Sequence, residues 1–340
     1  MFTDNRGYTF AEVLIASVLT SIIIPILAVV FLGANKSFTG YEAINSLKKM
    51  NQETVNRMYL RLGRSKRLFE NSTDNLTYLN KLNMTGMPAA MSDSKLPTIE
   101  ETGTLAEGTT DFHPASFGNS LLLAYNDKTI QLDGIKETAT STTTVSVRID
   151  SYKIAYYYLT EQDSPKILGK QTYKVVEWQS VPYAECNQVI NISSATKKSN
   201  VIIALVDKGV NYCWDSSKSS STVAFSSFTI SGTTGSLTTA TGHTIINEKY
   251  QVLTKTITGI MRGGYQYGMS PNQSDWGAST KVVPRFATAS GNFPGGLEIG
   301  IVGASAARQV LVRSVMVAHG NSMATTGSEL MVVVSSRDIW

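Results

Sequence analysis

From Val13 to Gly33 the chain reads VLIASVLTSIIIPILAVVFLG, without one ionisable side chain. Ser17, Thr20 and Ser21 are the only hydroxyls in the run. A helix rises about 1.5 Å per residue, so roughly 20 such residues cover a hydrocarbon core about 30 Å thick. A short globular core helix would show a polar stripe. This one does not, so the pattern predicts a membrane span. Beyond it the periodicity turns amphipathic: Tyr41, Ile44, Val55, Met58 and Leu62 return to one helical face, which Asn51 interrupts. No proline falls between Pro25 and Pro88, so nothing forces a stop. Pro25 removes one backbone hydrogen bond and predicts a kink inside the span. Gly33 and Gly40 each lower helix propensity by about 1 kcal/mol relative to alanine. The expectation is one helix over residues 8–70, ending near Phe69 and membrane-spanning over 8–33, whose later half packs on a globular head.

From Asn71 onward Ser, Thr, Asn and Gly become dense and helical periodicity fades. Short β-rich runs replace it: SLLLAY, TTTVSVRI, KIAYYYL, TYKVVEW, NVIIALV, STVAFSSFTI, YQVLTKTITGI, LEIGIV, QVLVRSVMVA and ELMVVVSS. In one of them Val310, Val312, Ser314, Met316 and Ala318 alternate with Leu311, Arg313, Val315 and Val317, the period of a strand with a buried face. The predicted class is therefore α+β: a long N-terminal helix and a β-rich head over residues 71–340, large enough to bury a substantial core. Residues 84–119, and SSKSSST at 216–222, read as loops.

The chain holds 30 basic and 26 acidic residues. Between positions 42 and 70, Lys48, Lys49, Arg57, Arg61, Arg64, Lys66 and Arg67 stand against Glu42, Glu53 and Glu70. That segment carries the whole net charge of +4 and leaves 23 residues of each sign elsewhere. A basic helix face is ordinarily solvated; the functional alternatives are contact with acidic neighbours in an assembly or with lipid headgroups. Nucleic-acid binding needs a basic groove with aromatic platforms, and the charge-balanced head predicts none.

Glu12 is the anomaly. It stands at the start of an apolar run, where a carboxylate is costly and marks a function or a partner. A secretory signal cleaved near Gly33 and Ala34 would leave the acid unexplained. Placement at the interface would let it snorkel to water. A third reading supplies a cation: cleavage after Gly7 would create an α-amine at Tyr8, and the amine of a neighbouring chain would pair with the carboxylate in apolar surroundings. Arg6 and the starting amine outweigh Asp4, which predicts a cytoplasmic N-terminus and everything after Lys36 outside.

These residues carry a resemblance. Arg6-Gly7, then YTFAEVLIA with its glutamate fifth after the glycine, then an uninterrupted apolar run, is similar to the class III signal of type IV pilins and type II secretion pseudopilins. The resemblance implies that residues 1–7 are a prepilin leader, that prepilin peptidase cuts after Gly7 and N-methylates Tyr8, and that Glu12 docks the subunit into a filament. Tyr8 stands where the family usually has phenylalanine, and Phe10-Ala11 where it usually has Leu-Ile. Pro25 resembles a proline of pilin helices, and Gly33 and Gly40 are places where the helix would melt in a filament. In the head, YKIAYYYL, ILGKQTYKV and VIIALVDKGVNYCWD follow one another as do the middle segments of J-type minor pseudopilins and PilW-like minor pilins, with Lys170 near their usual arginine. LEIGIVGASAARQVLVRSVMVAHGN resembles their final hydrophobic strands. The partners implied are prepilin peptidase, other pilins or pseudopilins, the inner-membrane assembly platform and membrane lipid. The implied location is a single pass through the cytoplasmic membrane with the head outside, and afterwards a filament.

Cys186 and Cys213 are the only cysteines. An oxidising compartment would permit one disulfide, closing a loop of about 28 residues and worth about 3 kcal/mol; two buried thiols are the alternative. Without clustered histidines they make no zinc site. His113, His243 and His319 are scattered, with no serine elbow or H-E-x-x-H pattern nearby. GIVGASAA at 300–307 lacks a third glycine and a following βαβ unit, and SPNQSDWG at 270–277 reads as a turn rather than an EF-hand. Neither enzymatic activity nor a cofactor is expected. Two functions share the same N-terminal helix: a subunit that primes or joins a filament, and a tip-located subunit whose head recognises a surface, a protein or a secreted cargo. A plain signal-anchored sensor or envelope enzyme would show no cut after Gly7.

Overall fold

The computed structural model describes residues 9–92, 94–102, 116–161, 173–254, 266–269, 296–304, 308–319 and 323–334, with backbone alone at residues 43, 266–269, 317–319 and 323–334. In chain order the elements are α1 (Phe10–Leu62), β1 (Ser65–Phe69), α2 (Thr73–Leu79), β2 (Ile99–Glu100), β3 (Leu121–Lys136), β4 (Thr144–Glu161), β5 (Tyr173–Ser180), β6 (Tyr183–Glu185) and α3 (Cys186–Ile190). There follow α4 (Ala195–Asp207), β7 (Tyr212–Trp214), β8 (Phe225–Ser231), β9 (Thr234–Thr239), β10 (Asn247–Val252), β11 (Gln266–Met269), β12 (Leu297–Val302), β13 (Arg308–His319) and β14 (Met323–Val334).

α1 runs unbroken through Pro25, Gly33 and Gly40. Its second half buries Leu47, Asn51, Thr54, Val55, Met58 and Leu62, spacings that put all six on one stripe. Each of the larger apolar members contributes about 1.5–3 kcal/mol on burial. Two expectations change here. Tyr41 lies off the stripe, 66% exposed, whereas Asn51 lies within it, fully buried, its Nδ2 donating to the Ser314 carbonyl of β13 at 3.0 Å. The helix also stops at Leu62 rather than near Phe69. Gly63 closes it, its N–H donating to the Tyr59 carbonyl at 2.9 Å. The next residues pair antiparallel with β3, Leu68 opposite Leu123 and Phe69 opposite Leu122. Leu68 and Phe69 enter the cores on opposite sides of the sheet, a period of two that a helix could not satisfy.

The sheet runs β2-β12-β13-β11-β5-β4-β6-β7-β8-β9, with β3 beside β4, β1 beside β3, β10 beside β5 and β14 beside β13. β4 explains the uninterrupted apolar text of KIAYYYL. Ala155, Tyr157 and Leu159 face the core that includes Leu47, Met58 and Leu62 of α1. Ile154, Tyr156 and Tyr158 face a second core with Trp178, Tyr183, Trp214 and Phe225. A strand covered on both sides has no polar face to show. A third core lies under the far half of the β3–β4 hairpin, where Ile130, Leu132, Ile135 and Ile149 meet α3, α4 and the Cys186–Cys213 disulfide, whose Cα atoms are 4.9 Å apart.

The run NVIIALV is helix, not strand: it forms the C-terminal part of α4. Its β-branched residues invite a strand, but Ser194 caps the start by accepting from the Lys197 N–H, and Gly209 ends it at φ 79°. Val201, Ile202 and Leu205 then supply the buried face. The serine-rich 216–222 segment is the expected loop, irregular between β7 and β8, and it is tethered to the head. Ser221 is fully buried, and the carbonyls of Lys218 and Ser219 accept from the Arg67 guanidinium. The described part of 84–119 is irregular apart from β2 and is pinned to the head by the Met91 N–H to the Leu159 carbonyl (2.9 Å) and Tyr158 Oη to the Pro88 carbonyl (2.8 Å).

Candidate membrane and assembly site

α1 divides into two halves with different surroundings. Every residue from Thr9 to Phe38 is exposed, including Phe10 at 82% and Phe31 at 72%, whereas Leu47 is fully buried. The N-terminal half is apolar all round and touches nothing else in the described chain. Left in water, each of its Leu, Ile, Val and Phe side chains would forgo about 1.5–3 kcal/mol. The helix is long and apolar enough to cross a membrane. Its hydroxyls make no demand on the surroundings: Ser17 Oγ donates to the Leu14 carbonyl at 2.8 Å, Thr20 Oγ1 to Ala16 at 2.7 Å and Ser21 Oγ to Val18 at 2.7 Å. At Pro25, which has no N–H, the Ser21 carbonyl loses its i+4 donor within this uncovered half.

Glu12 closes a capping box with Thr9. The Thr9 N–H and Oγ1 donate to Glu12 Oε2 at 2.8 and 2.9 Å, and the Glu12 N–H returns a bond to Thr9 Oγ1 at 3.3 Å. Sequence reading missed this, although the T-x-x-E spacing signals it. Both donors converge on one carboxylate oxygen. Oε1 has no partner among the described residues, and the side chain is exposed. Gly7 and Tyr8 lie outside the described residues.

The second half of α1 is held by a buried acid that sequence reading also missed. Glu177 of β5 is 2% exposed. Its carboxylate meets Arg57 at 3.3 Å and Arg61 at 3.8 Å, and accepts from Tyr157 Oη at 2.8 Å and Gln179 Nε2 at 2.7 Å. Arg57 also donates to Gln251 Oε1 at 2.6 Å, and the Arg61 guanidinium lies 4.5 Å from the centre of the Tyr125 ring. The basic segment is therefore split. Lys48 and Lys49 face solvent, while Arg57, Arg61 and the 3%-exposed Arg67 turn into the head. Glu12 and Pro25 lie on the uncovered half; the bridged cysteines lie in the third core, so these residues form no single site. Among the described residues, no group of three or more His, Cys, Asp or Glu is gathered to hold a metal.

In comparisons with protein-family models, curated proteins and solved structures, no match to this chain was found.

Proposed function

We propose that this chain is a minor pilin or pseudopilin, a structural subunit that primes or joins a type IV pilus-like filament after prepilin peptidase cuts at Gly7 and methylates Tyr8. The observation that carries the reading is the division of α1: an apolar half that nothing in the described chain covers, continuous in one helix with a half clamped on the sheet through Glu177. Lipid tails and the apolar helices of neighbouring subunits are comparable surroundings for the free half, so it passes from bilayer to filament core with little hydrophobic cost. Glu12 supplies direction. Its open Oε1 accepts the Tyr8 amine of an adjoining pilin or pseudopilin, while Oε2 keeps the helix start capped. The subunit waits in the cytoplasmic membrane with its head outside, and the inner-membrane assembly platform lifts it into the filament. A second reading, a tip-located binding subunit, is favoured by a polar cavity where α1 meets the head.

The test separates capping from pairing. Glutamine at this position still caps, since its side-chain oxygen can accept from the Thr9 N–H, but it carries no charge. Glu12→Gln and Glu12→Ala should both be processed normally and both be depleted from sheared filaments. Wild-type incorporation of Glu12→Gln would refute the charge pairing.

A further inference from the structure

Where α1 ends, the α1–β1 turn, the middle of the β3–β4 hairpin, the start of α3 and Ser216 after β7 enclose an open cavity of about 500 Å³. That volume suits a small molecule, but the lining is polar where such sites are usually apolar. Two strand irregularities shape it. The β1–β3 register slips between Ser65 and Arg67, and the β3–β4 register between Asn126 and Lys128. Bulges of this kind re-aim side chains and recur beside binding sites. Asn126 and Tyr152 are direct cross-strand partners, so both side chains leave the sheet on the cavity side.

Several of the lining side chains lack hydrogen-bond partners among the described residues. Tyr152 is 7% exposed, its ring edge-on to Trp214 at 5.7 Å, yet its hydroxyl has no hydrogen bond among the described residues. Burial, then the nearby Glu185 and Asp150, keep that hydroxyl protonated well past neutrality. Among the described residues, Ser65 Oγ is buried without a partner and the Asn126 side-chain amide has none. The two acids, by contrast, are held in place. Asp150 accepts from Thr129 Oγ1 at 2.7 Å and Gln188 Nε2 at 2.9 Å, while Glu185 accepts from Ser216 Oγ at 2.9 Å and the Asn187 N–H at 3.4 Å. An ionised carboxylate has about four acceptor sites, so each held acid retains capacity to accept more.

We propose that this cavity is a binding site for a neutral saccharide, with the Tyr152 hydroxyl at its floor and Asn126, Ser65 and the two fixed carboxylates on its walls. The chemistry selects against the other classes. An anion would meet Asp150 and Glu185; a cation would meet Arg64 and Lys66; an apolar molecule would strand every one of these groups. A sugar hydroxyl donates and accepts at once, and the lining offers donors beside acceptors throughout. The inference stands whether or not the chain enters a filament.

The experiment uses the full chain in a zwitterionic detergent that carries no sugar headgroup. Saturation-transfer NMR and calorimetry are run against glucose, galactose, mannose, N-acetylglucosamine and lactose, with inorganic phosphate, acetate and methylammonium as charged probes. At least one sugar should bind with a Kd on the order of 1 mM. Tyr152→Phe should weaken it by about 3- to 10-fold, the range of one hydrogen bond. Should Tyr152→Phe prove poorly folded, Asn126→Ala, on the half-buried rim, carries the same expectation. The proposal is overturned if no sugar binds at about 20 mM, if only a charged probe binds, or if the folded variants bind sugar as tightly as the parent chain.

Discussion

Removing the disulfide offers the best-defined stability test. Cys186 and Cys213 are 27 residues apart in sequence, and both side chains are almost wholly buried in the third core. In the chain-entropy model a loop of that length restricts the unfolded chain by about 3.5 kcal/mol at 25 °C. The Cys186→Ala, Cys213→Ala double variant leaves no unpaired polar group in that core, so the loss should fall close to that figure. Trp178 and Trp214 are fully buried and report unfolding by fluorescence. In urea titrations of the full chain in micelles, the variant's transition should move to lower urea, and m should rise because the unlinked chain unfolds to a more expanded state. A loss below about 1 kcal/mol would refute the reasoning: it would mean that α3 and β7 stay docked in the unfolded ensemble without the bridge.

Two further perturbations probe the head. Glu177→Gln leaves Arg57 and Arg61 without their anion; with those guanidiniums partly exposed, the cost should be about 1–3 kcal/mol, and amide exchange should quicken in residues 55–62 of α1 but not in β8 and β9. Uniform or unchanged exchange would contradict a local clamp. His243 has its pKa lowered to about 4, first by burial and then by Lys81. The unfolded chain therefore takes up that proton first, and the His243 contribution to stability, whole above about 6.5, is lost as pH falls from there to about 4. Glu185 works in the opposite sense, its pKa raised mainly by burial, so its destabilising effect grows as pH rises above the usual carboxylate range. His243→Gln should flatten the stability slope between those two pH values, and an unchanged slope would show that other groups set it.

What could be read from sequence follows from which contacts decide each element. The apolar half of α1 needs no tertiary partner to be recognised, because its length and composition suffice. The α+β class was legible for a related reason: long runs such as SLLLAY and QVLVRSVMVA keep the chain extended wherever they lie. Failures came where distant contacts override local text. The residues after Leu62 remain helix-compatible by composition and become strand only because β3 lies alongside. NVIIALV looks extended by propensity, yet the Ser194 cap and the third core hold it helical. Glu177 gave no signal, because a lone acid in a strand is ordinarily solvent-facing and its arginines lie more than a hundred residues away in sequence. The cavity was equally hidden, since it joins groups from five separate stretches of the sequence.

The central claim is that the free apolar half of α1 begins at a processed terminus and leaves water with Glu12 at its edge. Intact-mass analysis and N-terminal sequencing of the protein from native membranes test it most directly. The account predicts a chain that begins at Tyr8 and carries one added methyl group. Recovery of the polypeptide with Met1 still attached, from cells that possess the processing enzyme, would contradict it.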